Sequence, residues 1–131
     1  MATVVTNTGR AIVTSRLKGL GTEPLFVGWG TGSGTAVVTG TTLFTERDVD
    51  LSATSGTRTT GTSSIQTQTV TSDTYQVTAT RTATGSGTVT NAGLFDSATI
   101  GAGGMFLHGE FTGIGLAAGD SIAFTFRAQF T

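Results

Sequence analysis

His108 and Glu110 stand two residues apart in an apolar segment, a spacing that puts two side chains on one face of a strand. An imidazole and a carboxylate so placed could move a proton in general acid–base catalysis. The rest of a catalytic set is missing. No Gly-x-Ser-x-Gly elbow marks a nucleophile, and no third group is in place to orient the imidazole. A surface pair or an intersubunit hydrogen bond is the simpler expectation, in a protein that is not an enzyme. Glu46, Asp48 and Asp50 alternate, so on a strand their carboxylates would face one way and could offer hard oxygen ligands to Ca²⁺. The Gly and Glu of an EF-hand loop are absent, however, and Arg47 stands among them, so a solvated face or an ion pair competes with a cation site. Gly30-Thr31-Gly32-Ser33-Gly34 follows an apolar segment as a phosphate loop would. It lacks the Gly-Lys-Ser/Thr ending and a following amphipathic helix, which supplies the main electrostatic partner of a phosphate.

Trp29 and Tyr75 are the single residues of their types. Aromatic side chains on a β surface can stack on sugars, but Trp29 lies among Phe26, Val27 and glycines, as a core or interface anchor would. Arg10, Arg16, Lys18, Arg58, Arg81 and Arg127 are scattered, so no nucleic-acid groove is expected. Cysteine is absent, which excludes disulfides, thiolate zinc sites and cysteine nucleophiles. One histidine excludes a two-histidine metal site within one chain. No cofactor is implied.

The elements that would position these residues follow from composition and periodicity. The 131 residues include 30 Thr, 20 Gly and one Pro, and only 11% are charged, for a net charge of −1. Thr suits a pleated, half-wet face and Gly suits turns, so the composition points to an all-β chain with a surface poor in charge. Charge depletion also marks the centres of protein interfaces, which favours an oligomer or assembly. There is no strong field to attract nucleic acid or an acidic membrane and no apolar run long enough to span one, and Met1-Ala2-Thr3 does not open the basic-then-apolar pattern of a signal peptide, so none is expected.

One helix is expected over about residues 8–18, capped by Asn7 or Thr8, with Val13, Leu17 and Leu20 as its apolar stripe. Strands are expected at residues 25–29, from about residue 47 through the alternation at Asp48, Asp50 and Ser52, and at residues 75–79, 88–95 and 105–111, with Ala2 to Thr6 able to form a short one. Ile65 and Val70 should anchor the polar stretch 56–71, Ser72-Asp73 should turn, and residues 113–119 should turn again. The last strand has the clearest alternation: Ile122, Phe124, Phe126, Ala128 and Phe130 on one face. The fold expected is a jelly-roll-like β-sandwich or barrel, a single β-rich domain over residues 1–131 with residues 1–7 as an extended N-terminal arm. Val5-Thr6-Asn7-Thr8-Gly9 is echoed in Val89-Thr90-Asn91-Ala92-Gly93, by chance in a Thr-rich chain or because both Asn side chains fix matching turns.

Three groups of words carry a resemblance. They are Val5-Thr6-Asn7-Thr8-Gly9-Arg10-Ala11-Ile12 with Gly21-Thr22-Glu23-Pro24 and Val27-Gly28-Trp29-Gly30-Thr31-Gly32; Asp73-Thr74-Tyr75-Gln76-Val77; and Thr90-Asn91-Ala92-Gly93-Leu94-Phe95-Asp96 with Gly119-Asp120-Ser121-Ile122 and Phe124-Thr125-Phe126. Together they resemble small structural proteins of tailed bacteriophages, most closely the capsid decoration, or cement, proteins. The resemblance implies a jelly-roll-like homotrimer on the capsid exterior, bridging subunits of the major capsid protein. It also implies synthesis in the host bacterial cytoplasm and no catalytic residues, cofactor, nucleic-acid or membrane partner. A tail- or fibre-associated protein that binds glycans is the alternative. Interface candidates on this reading are Ala2, Thr3, Val4 and Val5, which could add a strand to a neighbour, with Phe26 and Trp29 as anchors and Gly32, Ser33 and Ala102 in loops that could reach the shell.

Overall fold

The computed structural model describes residues 2–131. Its elements are β1 (Thr3–Val5), α1 (Asn7–Leu17), β2 (Phe26–Gly30), β3 (Glu46–Arg47), β4 (Thr59–Thr60), β5 (Thr62–Gln66), β6 (Thr74–Thr82), β7 (Gly87–Phe95), β8 (Met105–Leu116) and β9 (Ser121–Gln129). They form two antiparallel sheets, one ordered β1-β8-β7-β2-β3 with β4 also on β2, the other β5-β6-β9. This is an all-β sandwich with one short N-terminal helix.

The architecture grows from one long antiparallel ribbon. β7 pairs with β8 from Gly87↔Leu116 onward, and β6 pairs with β9 from Thr82↔Ser121 onward. Between these halves the chains bend together. The Ala83 N–H donates to the Asp120 carbonyl at 2.7 Å, and the Gly119 N–H donates to the Ala83 carbonyl at 2.7 Å. The bend places each half of the ribbon in a different sheet, and in that sense the sandwich is jelly-roll-like. On one side, residues 59–66 run from the first sheet into the second, because β4 pairs with β2 and β5 pairs with β6. Gly61 permits the crossing, since a Cβ there would lie 2.4 Å from Val77 Cγ1. The alternation in the last strand is real: Phe126 and Ala128 are buried and Ile122 and Phe124 half-buried, with exposed residues between. Phe124, Phe126 and Ala128 meet Val27, Val77, Ala92, Leu94, Phe106 and Leu107 in the main core, and Ile122 packs on a second cluster. Trp29, Leu51, Ala83, Val89 and Leu116 fill that cluster.

Several expectations need correction. The helix begins one residue earlier than expected and its cap is Thr6, whose Oγ1 accepts the Gly9 N–H at 2.9 Å and donates to the Met105 carbonyl. The buried side of α1 is Gly9 and Ile12, whereas Leu17 is 85% exposed and Leu20 60% exposed. The cause is Gly9. A Cβ there would lie 2.4 Å from the Phe106 carbonyl oxygen, so the face without a side chain is the one that can press on β8. The strand expected to run through Asp48, Asp50 and Ser52 stops at Arg47. Asp48 Oδ1 accepts the Val49 N–H, and Asp50 Oδ1 accepts those of Ser52 and Ala53, so the side chains take the donors a ladder would use.

β8 extends to Leu116 past a register shift opposite Thr90, which leaves only 117–120 for the turn expected over 113–119. Ile65 on edge strand β5, Val70 in the next loop and Phe130 beyond β9 are exposed and anchor nothing inside. The echoed words do not share a turn, since Asn7 opens the helix while Asn91 sits within β7. Of the expected arm, residue 1 lies outside the described residues. Residues 3–5 are extended, but they are already an edge strand of this chain's own sheet, paired Thr3↔Gly109, Val4↔His108 and Val5↔Leu107.

Candidate functional site

β8 carries His108 into the interior, where it is 1% exposed. Asn91 on β7 brackets the backbone of Phe44: its Oδ1 accepts the Phe44 N–H at 3.0 Å and its Nδ2 donates to the Phe44 carbonyl at 3.1 Å. That fixes the amide oxygen toward His108 Nε2, 3.1 Å away, so Nε2 carries the proton and donates. The His108 ring lies against Phe44 at 4.7 Å. Burial holds its pKa below the ordinary histidine value, against a weaker opposing pull from Glu110. The Glu110 carboxylate is engaged elsewhere, where its Oε2 accepts the Ala36 N–H at 3.0 Å and secures the 31–45 loop. His108 and Glu110 therefore share a strand but not a hydrogen bond, and each holds a loop in place.

The three clustered carboxylates are separated in the same way. Glu46 forms a two-point pair with Arg58, Nε–Oε1 at 2.7 Å and Nη2–Oε2 at 3.0 Å. Arg58 also lies 3.5 Å over the Phe95 ring and donates to the Ser97 and Ala102 carbonyls at 2.9 Å each. Asp48 faces Arg81 at 3.4 Å and accepts the Trp29 Nε1–H on its carbonyl at 3.1 Å. Arg81 comes from the inward face of β6 and is 1% exposed, with the Trp29 ring at 5.0 Å and donations to Thr57 and Thr59. Desolvation lowers its pKa, and Asp48 and Glu46 oppose this. The backbone N–H groups of Ala53 and Ser52 keep the Asp50 carboxyl below its usual range. Among the described residues no three His, Asp or Glu groups converge as metal ligands, and Glu46, Asp48 and Asp50 each turn to a different partner instead of one cation.

The interface candidates scatter. Trp29 is fully buried and cannot anchor a partner or stack on a sugar. Phe26 is half-buried against Leu43, Phe95 and Met105. The Ala102 carbonyl is held by Arg58. Gly32 and Ser33 line a cleft of about 310 Å³ with Gly34, Phe44, Glu110 and Phe111. Thr3 is exposed and Ala2, Val4 and Val5 half-exposed along the β1 edge.

Sequence reasoning missed a groove of about 320 Å³ between α1 and β6, lined by Ile12, Leu17, Pro24, Tyr75, Phe106 and Phe130. Its signal was present in Leu17 and Phe130, two apolar residues assigned to buried faces. The Tyr75 hydroxyl lies 3.0 Å from both Glu23 Oε1 and the Pro24 carbonyl, and burial followed by Glu23 pushes its pKa up. The described residues contain no helix long and apolar enough to cross a membrane. Comparison with protein-family models, curated proteins and solved structures finds no match to this chain.

Proposed function

We propose that this chain is a virion structural protein that decorates and stabilises the outside of a tailed-phage capsid by bridging subunits of the major capsid protein. One observation carries the reading. The groups that could do chemistry are engaged in holding loops, while the surface is poor in charge and studded with large apolar side chains: Leu17, Leu20, Val37, Val38, Ile65, Val70, Ile114 and Phe130. Such a surface favours contact with other proteins over contact with small polar substrates or phosphates. Arg58 and Arg81 are buried and Arg127 bonds to Gln76, which leaves few cations for nucleic acid.

The stapled loops support the same reading. A clamp that resists separation of shell subunits transmits force only if it does not itself yield. Loop 97–104 is tied by Arg58, loop 31–45 by Glu110 and Asn91, and loop 67–73 by Asp73, whose carboxylate accepts the N–H groups of Gln68, Thr69 and Val70. Bound in many copies as a homotrimer, the protein stabilises the assembled shell by mass action, since it binds assembled subunits and not separated ones. The reading has no catalytic step and no cofactor. Its test is co-sedimentation of the purified chain with undecorated phage heads. Saturable, stoichiometric binding that raises the temperature at which heads release DNA is the expected result. Binding to tails alone, or to neither part, would overturn it.

A further inference from the structure

The sandwich is closed on one side by the strand that crosses between sheets and open on the other. On the open side the second sheet ends in β9, which among the described residues pairs with β6 alone. The direction of its backbone groups follows from its two ends. The Phe130 N–H donates to the Asp73 carbonyl at 2.9 Å, and the Asp120 carbonyl accepts the Ala83 N–H at 2.7 Å, so the even-numbered residues face β6. The N–H and C=O groups of Ser121, Ala123, Thr125, Arg127 and Gln129 then point away from the sheet, and all five residues are exposed.

This edge lacks the usual guards. It holds no Pro, Lys or carboxylate. Its one charge, Arg127, is drawn back across β6 by a 2.7 Å hydrogen bond from Nε to Gln76 Oε1. With nine residues it is longer than the other edges, β1 with three, β3 and β4 with two each and β5 with five. Behind it a groove of about 180 Å³, lined by Ala92, Phe111, Phe124 and Phe126, leaves Phe124 half-buried on a face that otherwise points inward.

We propose that the β9 edge pairs antiparallel with the β9 edge of a second copy of this chain, about a two-fold axis through Thr125. The strand is complementary to itself in that register. Thr125 meets Thr125, Ala123 meets Arg127, Ser121 meets Gln129, Phe124 meets Phe126 and Ile122 meets Ala128. Each residue whose backbone groups point outward faces another of the same kind, so Thr125 with Thr125, Ala123 with Arg127 and Ser121 with Gln129 are the hydrogen-bonded pairs, and the pairs between them bring side chains together without backbone bonds. The two Arg127 side chains stand four residues apart along the pairing, about 13 Å, instead of opposite each other. Phe124 and Phe126, whose rings stack at 6.0 Å within one copy, extend into a four-ring cluster over the open groove. The two three-stranded sheets become one six-stranded sheet. An edge about 30 Å long is smaller than a standard interface, so the pair exchanges readily. The inference stands independently of the capsid reading and of the three-fold association that goes with it.

The chain has no cysteine, so one introduced thiol reports on this contact alone. In the full-length protein, Thr125→Cys is expected to form a disulfide dimer of twice 13.2 kDa about tenfold faster than Thr78→Cys. Thr78 is the β6 neighbour of Thr125, exposed on the same sheet but one strand from the edge. Sedimentation equilibrium gives a second readout. Thr125→Lys sets two like charges opposite each other, so it is expected to lower the average mass of the wild type at about 100 µM while leaving the circular dichroism spectrum unchanged. Equal cross-linking rates for the two cysteine variants, or a mass that Thr125→Lys does not change, would overturn the proposal.

Discussion

Arg58→Ala removes a guanidinium that holds three separate stretches of chain: Glu46 at the start of the 46–53 turns, Phe95 at the end of β7, and the 97–104 loop. The Arg58 side chain is 2% exposed and that of Glu46 12%, so the pair lies inside and solvent does little to screen it. Removing one partner of a buried pair leaves the other charge uncompensated, at a cost of about 3–5 kcal/mol. Ser97 and Ala102 are only half-buried, so water can satisfy their carbonyls once the loop relaxes, and the expected loss is about 4 kcal/mol. For a chain of this length that lowers the melting temperature by about 10–20 °C. Trp29 is the only tryptophan and is fully buried, so its fluorescence in urea melts reports the unfolding directly. Arg58→Lys should recover only part of the loss, because an ammonium cannot make the two-point contact. The double variant Arg58→Met with Glu46→Leu should be more stable than Arg58→Ala by about 2 kcal/mol, because it removes the carboxylate that Arg58→Ala strands, while Arg81 keeps Asp48 as its partner. A loss below about 1 kcal/mol for Arg58→Ala would refute the view that this pair secures the loops.

Other expected outcomes follow from burial and charge. Phe126→Ala should cost about 3–5 kcal/mol and Phe124→Ala about half as much, because Phe126 is 8% exposed while Phe124 borders an open groove; equal losses in chemical denaturation would contradict the placement of β9. The unfolded chain takes up a proton on His108 near pH 6.5, and the folded chain only at lower pH. The contribution of His108 is therefore fully present above about pH 6.5 and declines as pH falls below it. His108→Gln should flatten that part of a stability–pH profile, and an unchanged slope would count against a buried neutral imidazole. Binding to phage heads should change little up to about 0.5 M salt, where screening is short-ranged, and release of the protein there would contradict an apolar contact.

The parts of the fold that were legible in the sequence depend on neighbours along the chain. The alternation of Ile122, Phe124, Phe126 and Ala128 is local and marked β9 correctly, as the alternation of Tyr75, Val77 and Ala79 marked β6. Where a local pattern had two physical causes, the reading failed. Asp48, Asp50 and Ser52 alternate as a strand would, yet the aspartates accept backbone N–H groups and make turns. The helix shows its length but not its buried face, because that face is chosen by Gly9, which carries no hydrophobic signal. The candidate site was the least legible. Glu46 finds Arg58 twelve residues on, Asp48 meets Arg81 thirty-three residues on, and His108 reaches Asn91 across a strand pair. No spacing rule links such partners. The resemblance to phage decoration proteins rests on short Gly- and Thr-rich words, which specify turns and half-wet strands and no functional group.

The central claim is that the chain belongs on the outside of a phage head. Immunogold electron microscopy of intact particles from the source culture, with an antibody raised against this protein, tests it most directly. The account predicts dense label over the heads and none on the tails. Label confined to the tails, or particles that carry no label, would contradict it.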